Sequence, residues 1–245
     1  MWPPHLQHLK LQDREIMTTT PLTLRLNNYG PLSGQLFTSS PSADAGGRKL
    51  VVLLHGWGAD GADLLPLAPA LVAQDSGDAV FVPDAPYVCS ANPFGRQWFE
   101  LTDPAAGLGR NAAACLEAAA LIAAMLDGLS AELAVSSDQI VLGGFSQGGM
   151  VALTGGLSYT QPLRGLFCLF GAWLTSDQAA QQPTGLPVFL AHGGADPVVP
   201  VSCMAQAASD LQAAGFQPQT LRRETMAHGI DPQTTDSLAG FISSL

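Results

Sequence analysis

The sequence predicts an α/β fold: a mostly parallel central sheet flanked by helices on both faces. Three observations carry this. Short apolar runs such as Lys49-Leu50-Val51-Val52-Leu53-Leu54 and Pro187-Val188-Phe189-Leu190-Ala191 lack the polar alternation of a half-solvated strand, as expected for strands buried on both faces. These runs alternate with helix-like segments, and the connections are too long for hairpins. The chain has 245 residues, a length at which such a fold stays in one domain.

The elements follow in order. Leu22-Thr23-Leu24-Arg25-Leu26 alternates as a strand, Tyr29-Gly30-Pro31 turns it, and Gln35-Leu36-Phe37 returns. A loop over Pro41 to Gly47 leads to the buried strand ending at Leu54. Leu64 to Ala73 reads as a helix despite Pro66 and Pro69, and Ala79-Val80-Phe81-Val82 is a buried strand stopped by Pro83. An irregular stretch runs from Asp84 to about Gly107. Asn111 to Ala134 is a long alanine-rich helix, with a break expected near Gly128. Ile140-Val141-Leu142 is a strand, followed by a helix containing Met150 to Leu153. Strands at Leu166 to Phe170 and Pro187 to Ala191, a helix from Cys203 to Ala213, a strand at Thr220 to Arg222 and a helix from Ser237 to Leu245 complete the chain. No sizeable insertion follows the Leu166 strand, so no large lid domain is expected.

Composition narrows the function. Hydrophobic residues make up 47% of the chain and charged residues 12%, enough apolar material for a sizeable core. No apolar stretch is read as approaching the roughly 20 residues of a membrane span. The formal net charge of −10 disfavours nucleic acid and a stable association with an anionic membrane. Cys89, Cys115, Cys168 and Cys203 are far apart without C-x-x-C spacing, so they read as free thiols in a reducing cytoplasm, with no metal motif. Residues 1–16 lack the pattern of a signal peptide; they read as a flexible N-terminal arm, or as sequence preceding a natural start at Met17, with residues 17–245 forming the domain.

Ligands bind beyond the carboxyl ends of the strands in sheets of this kind. Four such ends carry chemistry. Gly144-Phe145-Ser146-Gln147-Gly148 is a G-x-S-x-G pattern between a strand and a helix, a turn that lifts one serine hydroxyl above the sheet edge. After Ala191 comes His192-Gly193-Gly194-Ala195-Asp196-Pro197, and after Arg223 comes Met226-Ala227-His228-Gly229. Ser146 needs a base, which His228 can be; Asp196 can fix the imidazole tautomer. The chain order Ser, Asp, His is that of α/β-hydrolases. Two backbone N–H groups are needed for an oxyanion hole. Gln147, directly after the serine, supplies one, and Trp57, in the loop His55-Gly56-Trp57-Gly58, is the choice for the other. Asp60 reads as a loop organiser or a helix cap for the segment starting near Ala62, His55 and His192 as ligands of loop backbone, and Trp98 and Phe99 as either lining a substrate pocket or covering the sheet edge.

Leu54-His55-Gly56-Trp57-Gly58-Ala59-Asp60, Gly95-Arg96-Gln97-Trp98-Phe99-Glu100-Leu101, the serine turn, His192 to Pro200 and Ala227-His228-Gly229-Ile230 resemble the phospholipase/carboxylesterase family of α/β-hydrolases, which includes the acyl-protein thioesterases. The resemblance implies an α/β-hydrolase fold and a serine carboxylesterase. It puts nucleophile, acid and base on Ser146, Asp196 and His228 and oxyanion donors on Trp57 and Gln147, with no metal or cofactor. A short-to-medium acyl ester is the expected substrate, with acyl-protein thioesterase or lysophospholipase activity as the alternative and a non-catalytic binding module as the remote one. Trp57 stands where the thioesterase branch usually carries leucine, and the indole narrows the acyl site. Some members of the family pair, so a homodimer stays open.

Overall fold

A computed structural model describes residues 23–38, 49–73, 76–101 and 108–245; the expectations for residues 1–16 and for the loop from Pro41 to Gly47 lie outside these. The strands in chain order are β1 (Thr23–Tyr29), β2 (Leu32–Thr38), β3 (Leu50–Leu54), β4 (Ala79–Pro83), β5 (Tyr87–Cys89), β6 (Asn92–Gln97), β7 (Ile140–Phe145), β8 (Gly165–Leu169), β9 (Val188–Gly193) and β10 (Gln219–Arg223). The helices are α1 (Gly61–Leu64), α2 (Ala68–Leu71), α3 (Ala112–Leu133), α4 (Gln147–Ser158), α5 (Ser202–Ala213) and α6 (Pro232–Ser244). Eight strands form one sheet in the order β1-β2-β4-β3-β7-β8-β9-β10. It is parallel from β4 to β10, and β2 runs antiparallel to both β1 and β4.

The core follows from period-two alternation along the central strands. Leu50, Val52, Leu54, Leu142 and Leu166 face one cluster, which takes in α3, α4 and α5. Val51, Leu53, Val141, Phe167 and Leu169 face the other, closed by Leu64 and Leu71 on one side and by Leu238, Phe241 and Ile242 of α6 on the other. Both faces are covered, which is why these strands show no polar alternation.

The departures from expectation each have a local cause. The helix over Leu64 to Ala73 is three short turns: α1, a 3-10 turn at Leu65–Leu67, and α2. Pro66 and Pro69 each sit at the start of a turn, where a missing N–H costs nothing, and neither permits a continuous helix across it. Gly128 does not break α3, which runs unbroken for 22 residues. A Cβ there would lie 2.6 Å from Gly30 N, so this glycine admits the β1–β2 turn against the helix. By length and composition α3 is apolar enough to cross a membrane, contrary to the reading that no segment is. Here Cys115, Ala118, Ile122, Met125, Leu126 and Leu129 are buried in the core. The irregular stretch after Asp84 contains a hairpin, β5–β6, that apolar periodicity did not reveal. No helix or strand is inserted between β8 and β9, so no lid rises from that edge.

Register brings the chemistry together. Leu54 at the end of β3 pairs with Gly144 of β7; Phe145 pairs with Leu169 of β8, Leu169 with Ala191 of β9, and His192 with Arg222 of β10. The loops leaving these strands therefore emerge along one edge.

Candidate active site

Ser146 sits between β7 and α4 with φ 53° and ψ −119°, a conformation a side-chain-bearing residue adopts only when its surroundings impose it. Those surroundings are visible. Ser146 N–H donates to Leu169 O at 2.8 Å, and its carbonyl takes the Met150 N–H at 3.1 Å. A Cβ at Gly148 would lie 2.2 Å from Leu54 O, and one at Gly144 would lie 2.5 Å from the Gly148 carbonyl carbon. The flanking glycines let two strand ends and a helix start occupy the same few ångströms.

His228 lies in the loop between β10 and α6. Its Nδ1 is 2.7 Å from Asp196 Oδ2 and its Nε2 is 2.9 Å from Ser146 Oγ. An ionised carboxylate only accepts, so Nδ1 carries the ring proton and Nε2 accepts from the serine hydroxyl. Phe145 and Phe170 flank the imidazole at ring-centroid distances of 4.9 and 5.9 Å, fixing its plane. The His228 side chain is 12% exposed, enough for a ligand to reach it.

The Asp196 side chain is completely buried. Burial works to raise its pKa. Hydrogen bonds from His192 and His228, and the Val198 N–H at 2.8 Å, outweigh burial and hold the carboxyl well below the usual carboxylate range. The Val199 N–H also donates to Oδ1, at 3.0 Å. His192 Nε2 lies 2.9 Å from Val199 O and 3.3 Å from Asp196 Oδ2. Both neighbours are acceptors, so this nitrogen bears the proton and is shared between them. The backbone contact is as expected; the contact with Asp196 is an addition, since the two side chains meet only because the turn between them folds back.

The loop after β3 lies against the serine: a Cβ at Gly56 would stand 3.4 Å from Ser146 Cβ. His55 is buried beneath it, and burial lowers its pKa. Ala85 N–H donates to Nε2 at 3.0 Å, so Nδ1–H donates to Gly56 O at 2.7 Å. Asp60 caps α1 through a capping box with Asp63, as expected. Gln147 is the first residue of α4, so its N–H is one of those no intrahelical carbonyl can take. Its side chain is a brace that the sequence did not reveal: Oε1 accepts from Trp98 N–H at 3.0 Å and Nε2–H donates to Phe99 O at 2.8 Å. Trp98 and Phe99 are 0% and 3% exposed and offer no open surface to a ligand. Trp98 Nε1–H donates to His55 O at 2.8 Å, so these residues support the loop from below instead of lining a pocket.

The His228 loop is closed at its base. Asp231 accepts from Arg223 Nη2 at 2.5 Å and Nε at 3.1 Å, and caps α6 by accepting from Thr234 N–H at 2.8 Å. Burial would raise its pKa, but these bonds hold it down at about 2. A group depressed in this way stabilises the fold above its unfolded value, 3.8, and loses that contribution as pH falls toward 2. Asp231→Ala is therefore expected to cost about 1–2 kcal/mol at pH 7 through the lost cap and ion pair. The gap from wild type should close as pH falls from 4 toward 2 in urea titrations; a pH-independent gap would contradict this account.

Comparison with known proteins bears on the family and the fold. Residues 38–245 match the family model described as phospholipase/carboxylesterase. The chain is 29% identical over 210 residues to acyl-protein thioesterase 1 of Emericella nidulans, covering 78% of this chain and 88% of that one. It is 26% identical over 214 residues to a probable carboxylesterase of Oryza sativa subsp. japonica, covering 83% and 80%. Among solved structures, esterase PE8 superposes with a TM-score of 0.79 at 31% identity, covering 87% of this chain and 98% of that chain.

Proposed function

Because this chain belongs to the phospholipase/carboxylesterase family of α/β-hydrolases, we propose that it is a serine carboxylesterase acting on small-molecule esters of short-to-medium acyl chains. Ser146 attacks the ester carbonyl while His228 takes its proton, and Asp196 holds the imidazole and stabilises the imidazolium. The N–H groups of Trp57 and Gln147 receive the oxyanion, each contributing on the order of 3 kcal/mol. His228 then protonates the departing alcohol. Water, activated by the same histidine, attacks the acyl-enzyme and releases the acid. The sequence of bonds needs neither metal nor organic cofactor.

One observation supports this reading above all: the unbroken chain from Ser146 Oγ through His228 to Asp196, at 2.9 and 2.7 Å. The depressed Asp196 pKa adds to it, because the acid stays ionised behind its histidine. We assign residues 17–245 to the hydrolase domain and, from its free cysteines, the protein to the cytoplasm.

The second reading is acyl-protein thioesterase activity, which the name of the Emericella nidulans relative favours. The indole of Trp57, beside the proposed oxyanion position, favours shorter acyl groups. A profile of p-nitrophenyl esters from acetate to palmitate, with one palmitoyl thioester, decides between them. The expected result is a maximum of kcat/KM between acetate and octanoate. A maximum at palmitate, or thioester turnover exceeding that of every ester, would give the second reading priority.

A further inference from the structure

The β5–β6 hairpin holds the oxyanion loop at two levels. In the main chain, Gly58 N–H donates to Arg96 O at 2.9 Å and Arg96 N–H to Ala59 O at 2.7 Å, while Asn92 Nδ2–H donates to Gly58 O at 2.8 Å. In the side chains, Trp57 Nε1–H donates to Gln97 Oε1 at 2.9 Å. Gln97 Nε2–H donates to Glu100 Oε2 at 2.6 Å, and Glu100 Oε1 accepts from Ser90 Oγ–H, also at 2.6 Å. Ser90 N–H makes a longer bond, 3.3 Å, to Gln97 Oε1.

The order of these bonds has a direction. A glutamine amide can present either end to a neighbour, and its shape hardly distinguishes them. Glu100 removes that freedom. As a carboxylate it only accepts, so the Gln97 NH₂ must face it and the carbonyl must face the indole N–H. The hydrogen bonds from Ser90 and then Gln97 lower the Glu100 pKa, keeping it ionised. Gln97 is only 4% exposed, whereas Glu100 meets it from the solvent side, so the sheltered amide is oriented by the carboxylate beside it. The chain of bonds ends on the side chain of the residue whose N–H is read above as an oxyanion donor.

We propose that Gln97, oriented by Glu100, is a positioning residue for the Trp57 oxyanion donor. The inference rests on the hydrolase reading given above. An oxyanion donor acts on the transition state and little on the bound ester, so its displacement lowers kcat and leaves KM nearly unchanged.

The test uses the full chain and p-nitrophenyl butyrate. Gln97→Glu sets two carboxylates face to face, and Gln97→Leu removes both bonds; each should lower kcat about 10-fold with KM within about twofold. The double variant Gln97→Glu/Glu100→Gln keeps an acceptor toward the indole and restores a donor between the pair. It should recover kcat to within about threefold of wild type. Trp57→Phe keeps the backbone donor but loses the indole N–H, so adding Gln97→Leu to it should lower kcat no further. Unchanged kcat in both single variants, no rescue by the exchanged pair, or an equal loss on the Trp57→Phe background would each overturn the proposal. Circular dichroism on every variant separates misfolding from misplacement; if Gln97→Leu does not fold, the exchange pair alone decides. Fluorophosphonate labelling of the wild type keeps the two readings apart. Absence of labelling at Ser146 would remove the hydrolase reading and this inference together, whereas labelling with unmoved Gln97 variants would remove only this one.

Discussion

Ser146→Ala should reduce ester hydrolysis by about 10⁶-fold in kcat, equivalent to about 8 kcal/mol of transition-state stabilisation, and should abolish fluorophosphonate labelling. The loss is large because the serine hydroxyl is the bond-forming atom and nothing beside it can substitute. Cys168 packs below the same turn: a Cβ at Gly149 or Gly171 would lie 2.9 or 2.7 Å from its Sγ. Yet burial pushes that thiol up to about 12, so it stays protonated and inert at neutral pH. A residual acceleration over water of about 10³–10⁴ should survive from the oxyanion donors and substrate binding. The fold should be unaffected. The backbone bonds of Ser146 to Leu169 and Met150 do not involve its side chain, and the substitution leaves the left-handed φ as it was. Among the described residues, the side-chain bond lost is the one to His228, which Asp196 still holds. Wild-type melting with kcat reduced to that residual level is therefore the expected pair of results. Substantial turnover or continued labelling in the variant would move the nucleophile elsewhere.

Much of this site is legible in the chain because its parts obey local rules. A serine between glycines after a buried strand announces a tight turn, and Asp196 and His228 follow later strands in the order α/β-hydrolases use. The parts that are not legible depend on contacts between distant segments. Gly128 reads as a helix break because Gly30, the neighbour that requires it, lies far off in sequence. The β5–β6 hairpin reads as irregular because its outward residues include Tyr87, Val88 and Phe94, while inward Gln97 is polar. The usual apolar-in, polar-out pattern is thus inverted, and the hairpin's bonds are directed at a loop instead of a core. The contact of His192 with Asp196 needs the backbone of the turn between them. By contrast, the earlier start of α6 has a local signal: Asp231 followed by Pro232 is a cap followed by the residue best suited to the first helical position.

Asp196→Asn should lower kcat by about 10⁴-fold while leaving KM within a few fold. The two side chains are nearly the same size, so the amide fits the buried space. Its oxygen can keep both the Val198 and Val199 N–H bonds, which leaves the NH₂ where Oδ2 now meets the two histidines. That NH₂ donates. Facing a donor, His228 Nδ1 must become an acceptor, so the ring proton moves to Nε2 and points at Ser146 Oγ. The imidazole then has no lone pair for the serine proton, although every heavy atom keeps its place. The alternative flip of the amide returns an acceptor to His228, but it sets the NH₂ against the Val198 and Val199 N–H groups, donor facing donor, and loses both bonds that now hold Oδ1. His192 Nε2–H also meets the new NH₂ unfavourably and retains only Val199 O as an acceptor. The lesion is thus one of proton position, and it has a distinguishing signature. Fluorophosphonate labelling should slow by a factor similar to kcat, because attack on phosphorus needs the same proton removed, while melting should fall by only a few degrees. If Asp196→Asn retained labelling and turnover at near wild-type rates, the carboxylate behind His228 would be structural, and the acid would have to be sought among the other groups near the imidazole.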